Sequence, residues 1–106
     1  MTLESLYSTV SAVFPGKVAY NAFPENQAPE MPYLIINETS SDNFGADNRV
    51  YFKRKNVDIE LYTKTKDAAT ETLLENALDA AHIFYESSDT YISDEKCFER
   101  IYSIEV

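Results

Sequence analysis

The chain has 106 residues, 44% of them hydrophobic, which is enough for one domain with its own core and excludes a disordered chain. No apolar run approaches the roughly 20 residues that span a membrane, and the single cysteine, Cys97, cannot form an internal disulfide. The formal net charge of −9 excludes a protein that grips nucleic acid through clustered lysine and arginine.

The first part of the chain predicts a helix and a short strand. Apolar residues at helical spacing predict a helix over residues 2–14, with Thr2 as its N-cap. A strand is predicted over residues 17–23, and the three prolines of residues 24–32 predict an extended connection without regular structure.

Two further strands are predicted in the middle of the chain. The apolar run of residues 33–39 is typical of a strand in the centre of a sheet, and the polar residues 40–48 predict a loop. Residues 49–62 are predicted to be extended, but their apolar alternation changes phase near residues 53–56. Either a bulge lies there, or the first half projects beyond the body and faces something else.

The clearest pattern is a strand, a turn and a long helix. Val57, Ile59 and Leu61 alternate with polar residues, as in a strand with one buried face. Residues 63–66 are the predicted turn, and Asp67 is placed to cap the helix or to charge its first turn. The helix is predicted to run to residue 85 because apolar residues recur on one stripe: Leu74, Ala77, Leu78, Ala81 and Tyr85.

The end of the chain predicts a turn over residues 86–90 and strands over residues 91–93 and 97–106. Together these elements predict one α+β domain over residues 1–106. Its sheet is expected to be mainly antiparallel or mixed, with about four to five strands packed against two helices in the order α-β-β-β-α-β-β.

Residues suited to catalysis or metal binding are scarce. His82 is the single histidine, and the glycines Gly16 and Gly45 are too far apart for a phosphate-binding loop. A nucleophile pair of Cys97 and His82 is the one catalytic arrangement that the residues allow, but a small buried hydrophobe is the more ordinary role for this cysteine. No enzyme activity, cofactor or metal is predicted.

Acidic residues recur every four positions along the predicted second helix, and we call them the acidic row: Asp67, Glu71, Glu75 and Asp79. Like charges at this spacing repel one another by roughly 0.2–0.5 kcal/mol per pair. The acidic row is either a solvated face, partly compensated by the helix N-terminus, or a functional surface. In the second case it faces a basic partner or lines a channel that must not hold a polyanion.

Basic residues cluster on the phase-broken strand, and we call them the basic segment: Arg49, Lys53, Arg54 and Lys55. The basic segment is either a charged sheet edge that prevents aggregation, or a surface that meets the acidic row of a neighbouring copy. Such complementarity within one sequence suits a head-to-tail ring, because that interface joins two different patches.

Several stretches of the chain together resemble the tail-completion or tail-terminator proteins of long-tailed bacteriophages, also described as head–tail joining or minor capsid proteins. The stretches are SSDNFGADNRVYFKRKNVDIELYTKTKD, the helical ETLLENAL and the C-terminal YISDEKCFERIYSIEV. The likeness runs over about residues 32–106, and its most specific parts are NFGADN and IELYTKTKD.

This resemblance implies an α/β domain that assembles as a hexameric ring, caps the finished tail tube and ends its polymerisation. The implied partners are other copies of the chain, the tail tube protein and a head-completion or connector protein. DNA would pass through the ring without specific binding, and no membrane is involved. The implied location is the tail or neck of the virion, assembled in the cytoplasm of a bacterial host.

The polar residues 40–48, with Phe44 as an anchor, are the predicted contact with the tube or the connector. The predicted interface residues are Asn43, Phe44, Asp47, Arg49, Lys53, Arg54, Lys55, Asp67, Glu71, Glu75 and Asp79. Two alternatives stay open: another neck component, such as an adaptor or stopper, and an acidic inhibitor that mimics nucleic acid. The mimic would not need the six bases and five acids of residues 31–66.

Overall fold

The computed structural model describes residues 2–41, 43–46 and 48–106, without the side chains of Phe44, Ala46, Val50, Tyr51 and Phe52. This part of the chain contains two helices and seven strands: α1 (Leu3–Val13), β1 (Val18–Tyr20), β2 (Tyr33–Ser41), β3 (Phe44–Ala46), β4 (Arg49–Phe52), β5 (Lys55–Thr63), α2 (Ala68–Ala80), β6 (Glu86–Ile92) and β7 (Cys97–Glu105).

Helix α1 begins at a capping box. The Thr2 hydroxyl accepts a hydrogen bond from the Ser5 backbone N–H at 3.1 Å, and the Ser5 hydroxyl accepts one from the Thr2 N–H at 2.9 Å. This reciprocal pair satisfies two backbone donors that the helix cannot satisfy itself. Thr2 is the N-cap, as predicted, and α1 ends shortly before Pro15, which cannot continue a helix.

Helix α2 begins at the predicted cap. The Asp67 carboxylate accepts hydrogen bonds from the Thr70 backbone N–H at 3.2 Å and from the Thr70 hydroxyl at 2.7 Å. These bonds hold the pKa of the Asp67 carboxyl below its ordinary value. The prediction that Asp67 caps the second helix is confirmed.

The C-terminal end of α2 differs from the prediction, because the helix stops at Ala80 and not at residue 85. His82 adopts a left-handed φ of 57°, and its N–H donates to the Asp79 carbonyl at 3.0 Å. The Ile83 N–H donates to the Leu78 carbonyl at 3.0 Å. These two bonds form a Schellman motif, which closes the helix and turns the chain away. His82 therefore lies beyond the helix and not on it.

The main sheet has the strand order β1-β2-β5-β7-β6. Strands β1 and β2 are parallel, and the other neighbouring pairs are antiparallel. Strands β3 and β4 form a separate two-stranded sheet. With that pair set aside, the elements follow the order α-β-β-β-α-β-β around a five-stranded mixed sheet. The predicted fold class is confirmed.

One face of the main sheet, here called the covered face, carries both helices and the core. The helices contribute Leu6, Val10, Leu74 and Leu78, and each of these side chains is fully buried. The strands contribute Leu34, Ile36, Val57, Ile59, Leu61, Tyr102 and Ile104 to the same cluster. Burying one such aliphatic side chain stabilises the fold by roughly 1.5–3 kcal/mol. The opposite side of the sheet, the open face, carries the alternate strand residues.

The prediction of a loop over residues 40–48 is wrong in two places. Ser40 and Ser41 continue β2, where they pair with Asn56 and Lys55 of β5 after a bulge. Residues 44–46 form β3, which pairs with β4. The predicted phase change is real, because residues 53–54 separate β4 from β5. We call residues 43–46 and 48–54 the arm, which continues from the end of the β2–β5 ladder.

The predicted turn over residues 86–90 is also wrong, because β6 runs through it from Glu86 to Ile92. Strand β6 lies at the edge of the sheet, and all but its last residue are exposed. An exposed edge strand has no buried face to impose an apolar alternation, so its polar sequence carries no strand signal. The turn itself lies at residues 93–96, between β6 and β7.

Candidate functional site

Some members of the acidic row contact other side chains of the protein, and others are exposed to solvent. The Glu71 side chain is buried at 8% exposure, and its carboxylate lies 2.7 Å from the Lys66 ammonium and 3.5 Å from Arg100 Nε. Glu75 accepts a hydrogen bond from the Tyr102 hydroxyl at 2.7 Å. Asp79 is exposed. A single row in sequence is therefore two surfaces in the folded protein.

Arg100 of β7 is the cation that joins α2 to the edge of the sheet. Its guanidinium donates to Asp89 at 3.0 Å, to the Ser87 hydroxyl at 3.0 Å and to the Tyr102 hydroxyl at 2.9 Å. It also lies 3.7 Å from the Glu75 carboxylate. The planar fork of an arginine suits such a bridge between several acceptors.

The pKa values in this cluster follow from its contacts. Hydrogen bonds from Arg100, and then from Lys66, hold the pKa of the Asp89 carboxyl below its ordinary value. Burial, and then the hydrogen bond to Glu75, raises the pKa of the Tyr102 phenol. The deprotonated Asp89 carboxylate and the protonated Tyr102 phenol are thus the forms that these contacts favour.

The basic segment, in contrast, is exposed. Arg54 pairs with Glu105 at 2.8 Å, and its backbone N–H donates to the Asn43 side chain at 3.3 Å at the base of the arm. Lys55 lies 4.0 Å from Glu38, a weak contact between partly exposed side chains. Among the described residues, no ion pair joins the basic segment to the acidic row.

Two of the predicted interface positions cannot be placed. Asp47 and the side chain of Phe44 lie outside the described residues, so the predicted anchor role of Phe44 stays a prediction. The backbone of residue 44 is part of β3, and Asn43 is exposed beside it. The interface assignment as a whole stays a prediction.

The open face of the main sheet is strongly acidic. The strand register places five carboxylates on it: Asp58, Glu60, Glu86, Glu99 and Glu105. No lysine or arginine occupies an open-face position of the five described strands, since Lys55 and Arg100 both belong to the covered side by their register. The sequence alone did not indicate this surface, because its acids come from three strands.

Aromatic residues lie beside these carboxylates. The Tyr62 hydroxyl lies 2.8 Å from Glu60 and 2.7 Å from Glu99, and it has one hydrogen to donate. Burial, and then the hydrogen bonds to Glu99 and Glu60, raises the pKa of Tyr62. The Tyr62 ring lies 5.1 Å from the Tyr33 ring, which in turn contacts Phe23 edge-on at 5.4 Å. The open face thus combines half-buried rings with carboxylates.

The two residues considered for catalysis lie apart. Cys97 is fully buried at the start of β7, where burial and then the charge of Glu95 raise the pKa of its thiol. His82 lines a cleft of about 720 Å³ at the other end of β7, beside Ile104 and Glu105. With about 3.4 Å per strand residue, the two ends of the nine-residue β7 are roughly 27 Å apart. The Cys97–His82 pair therefore does not form in this structure.

In residues 2–41, 43–46 and 48–106, no three histidine, cysteine, aspartate or glutamate side chains are grouped to hold a metal ion. Neither α1 nor α2 is long and apolar enough to cross a membrane, and they are the helices of the described part of the chain.

The chain resembles a known protein in fold and not in sequence. No protein-family model and no curated protein sequence matches the chain. A chain in the virion of a native gene transfer agent particle superimposes with a TM-score of 0.68, over 97% of this chain and 91% of that chain. The fold is shared. At 12% sequence identity the likeness shows the fold alone.

Proposed function

We propose that the protein is a structural component of a bacteriophage or related virion, and that within it the protein is the tail terminator. In this role it caps the tail tube, ends tube polymerisation and joins the tail to the head connector. The observation that carries the proposal is the fold likeness to a virion chain over 97% of this chain. The sequence resemblance over about residues 32–106 supports the same role independently.

The charge distribution supports assembly as a closed ring, for which we propose six copies. A head-to-tail ring needs two different surfaces on each copy that fit each other. The basic segment and the acidic open face are two different surfaces of opposite charge, which meet within one copy at the ion pair of Arg54 and Glu105. Three protein partners follow from the role: further copies of the chain, the tail tube protein and a head-completion or connector protein.

The net charge of −9 suits a ring through which DNA passes. Nucleic acid binding depends on clustered lysine and arginine that neutralise phosphates. A protein with this excess of acids repels the polyanion as it moves through the channel. The proposed location is the neck of the virion, after assembly in the cytoplasm of a bacterial host.

Electron microscopy of particles made without this protein tests the tail-terminator role. We expect tails of uncontrolled length, lying unattached beside filled heads, and we expect the wild-type protein supplied in trans to restore joined particles. Particles with tails of normal length, attached to their heads, would exclude the tail-terminator role.

A second candidate is another neck component, such as an adaptor or stopper between portal and tail. The fold likeness favours it too, because the structural neighbour is identified by its particle and not by its place within it. Native mass spectrometry with purified tail tube protein separates the two roles. A terminator binds tubes directly, whereas an adaptor or stopper does not.

A further inference from the structure

Two carboxylates of the acidic open face, Glu60 and Glu99, form no ion pair within the described part of the chain. Asp58 accepts a hydrogen bond from the Ser103 hydroxyl at 3.0 Å, and Glu105 is paired with Arg54. Glu60 and Glu99 share the single hydrogen of the Tyr62 hydroxyl, and no lysine or arginine pairs with either of them in the described part of the chain. Two half-buried carboxylates that share one neutral donor are an incomplete electrostatic site.

The arm carries the complementary charge. Arg49 and Lys53 are exposed, and no side-chain hydrogen bond or ion pair joins either to another described residue. The arm starts at the end of the β2–β5 ladder, where its last basic residue, Arg54, already reaches Glu105 of the open face. The remaining two cations of the arm are therefore available to another molecule.

The acidic row of α2 is a poorer acceptor for these cations. Glu71 is buried between Lys66 and Arg100, and Glu75 is bonded to Tyr102. A cation from another molecule would have to displace those partners, and it would gain little because the charges are already compensated. The open face requires no such displacement.

We propose that the arm of one copy lies on the open face of the next copy, with Arg49 and Lys53 facing Glu60 and Glu99. This contact rests on the proposed ring, since it supplies the head-to-tail interface that a ring requires. Tyr33 and Tyr62 lie beside the two carboxylates and offer ring surfaces on which a guanidinium stacks. Tyrosine and arginine are also the residues that dominate the energy of many interfaces.

Complementary variants test this contact. The arm variant carries Arg49→Glu and Lys53→Glu, and the face variant carries Glu60→Gln and Glu99→Gln, which keep acceptors for the Tyr62 hydroxyl. We expect the wild-type protein to form oligomers in native mass spectrometry, and each variant alone to associate at least about tenfold more weakly. A 1:1 mixture of the two variants keeps one intact interface, so we expect it to form heterodimers and nothing larger.

Matched control variants introduce charge changes of the same kind at positions outside the arm and the open face. Lys64→Glu with Lys96→Glu mirrors the arm variant, and Glu25→Gln with Glu30→Gln mirrors the face variant. All four replaced residues are exposed and lie outside the arm and the open face. We expect both controls to assemble as the wild type does. Arm or face variants that assemble normally, or a mixture that stays monomeric, would overturn the contact.

A cross-linking experiment on the wild-type protein covers the case in which a variant fails to fold. Carbodiimide joins a lysine amine directly to a carboxylate, and mixed ¹⁴N and ¹⁵N copies identify links between molecules. We expect links between Lys53 of one copy and Glu60 or Glu99 of another. Links from Lys53 to the exposed Asp79 instead, or an open face that forms no links between copies, would overturn the contact.

Failure of this contact is distinct from failure of the proposed function. If the arm variant and the face variant form the same oligomers as the wild type, the arm contact is refuted but the ring is not. A wild-type protein that stays monomeric refutes the contact as well, and the tail-terminator role is then decided by the electron microscopy of particles made without the protein.

Discussion

The molecule has two acidic surfaces, and they differ in how their charge is compensated. The acidic row of α2 turns Glu71 and Glu75 toward the sheet, where Lys66, Arg100 and Tyr102 bind them. The open face carries five carboxylates and no base on its strands. Acidic side chains thus stabilise the fold on one side of the sheet, and on the other side they form the surface that we propose a neighbouring copy binds.

The comparison also shows why spacing along a helix does not identify a partner. The acids of α2 were predicted either as a solvated face or as a surface for a neighbouring copy. One of their two cations, Arg100, follows Glu71 by 29 residues and is brought to it only by the pairing of β7 with β5 and β6. No local pattern encodes that contact.

Removal of Arg100 is the strongest test of the compensated side. Arg100→Met leaves Glu71 with Lys66 alone and removes the cation that lies beside Glu75, and loss of one partner from a buried pair destabilises a protein strongly. We expect the free energy of unfolding to fall by about 3 kcal/mol in urea denaturation. The control Lys96→Met removes an exposed cation from the β6–β7 turn and should change stability by less than about 0.5 kcal/mol. Equal losses of stability from the two substitutions would contradict the stabilising role of Arg100.

Removal of one tyrosine hydroxyl from the covered face and one from the open face compares the two surfaces directly. Tyr102→Phe loses a bond to a carboxylate and a bond from Arg100, so we expect a loss of about 2 kcal/mol in the free energy of unfolding. Tyr62→Phe should cost less than about 1 kcal/mol, because its one hydrogen serves two carboxylates of a partly exposed face. A larger loss for Tyr62→Phe would reverse the comparison.

The N-cap of α2 provides a smaller effect that involves neither Arg100 nor the open face. Asp67→Ala removes the acceptor of the Thr70 N–H, and loss of such a cap costs about 1 kcal/mol. Asp67→Asn keeps an acceptor and should recover most of the stability in thermal unfolding. No difference between the alanine and asparagine variants would show that the cap bond does not contribute.

Protonation of Asp89 gives the smallest expected effect. Arg100 and Lys66 lower its pKa in the folded state, so its charged form stabilises the fold above the unfolded-state pKa of about 3.9. This contribution is lost as the pH falls through the lower, folded-state pKa. We expect wild-type stability to drop more steeply below about pH 4 than that of Asp89→Asn. If the stability of the two proteins falls in parallel as the pH is lowered, ionised Asp89 does not stabilise the fold.

The parts of the fold that the sequence predicts are those with local causes. The caps at Thr2 and Asp67 need only residues within one helical turn, and both are confirmed. The alternation of Val57, Ile59 and Leu61 reflects one buried face of β5, and it predicts the strand correctly. These signals do not depend on any distant segment.

The parts that sequence reasoning misplaces depend on distant contacts or on uncommon backbone geometry. Strand β6 has no buried side to pattern it, and it is a strand because β7 offers it hydrogen bonds. The end of α2 depends on a left-handed histidine at position 82, where glycine is the usual residue. The open face could not be predicted, because the register of three strands brings its acids together.

A cryo-electron microscopy reconstruction of the neck of the assembled particle would test the proposed ring and its arm contact together. We predict a closed ring of this chain between the end of the tail tube and the head connector, with the arm of each copy on the open face of the next. A ring in which the open faces line an empty channel would contradict the arm contact. A neck without this chain would contradict the proposed function itself.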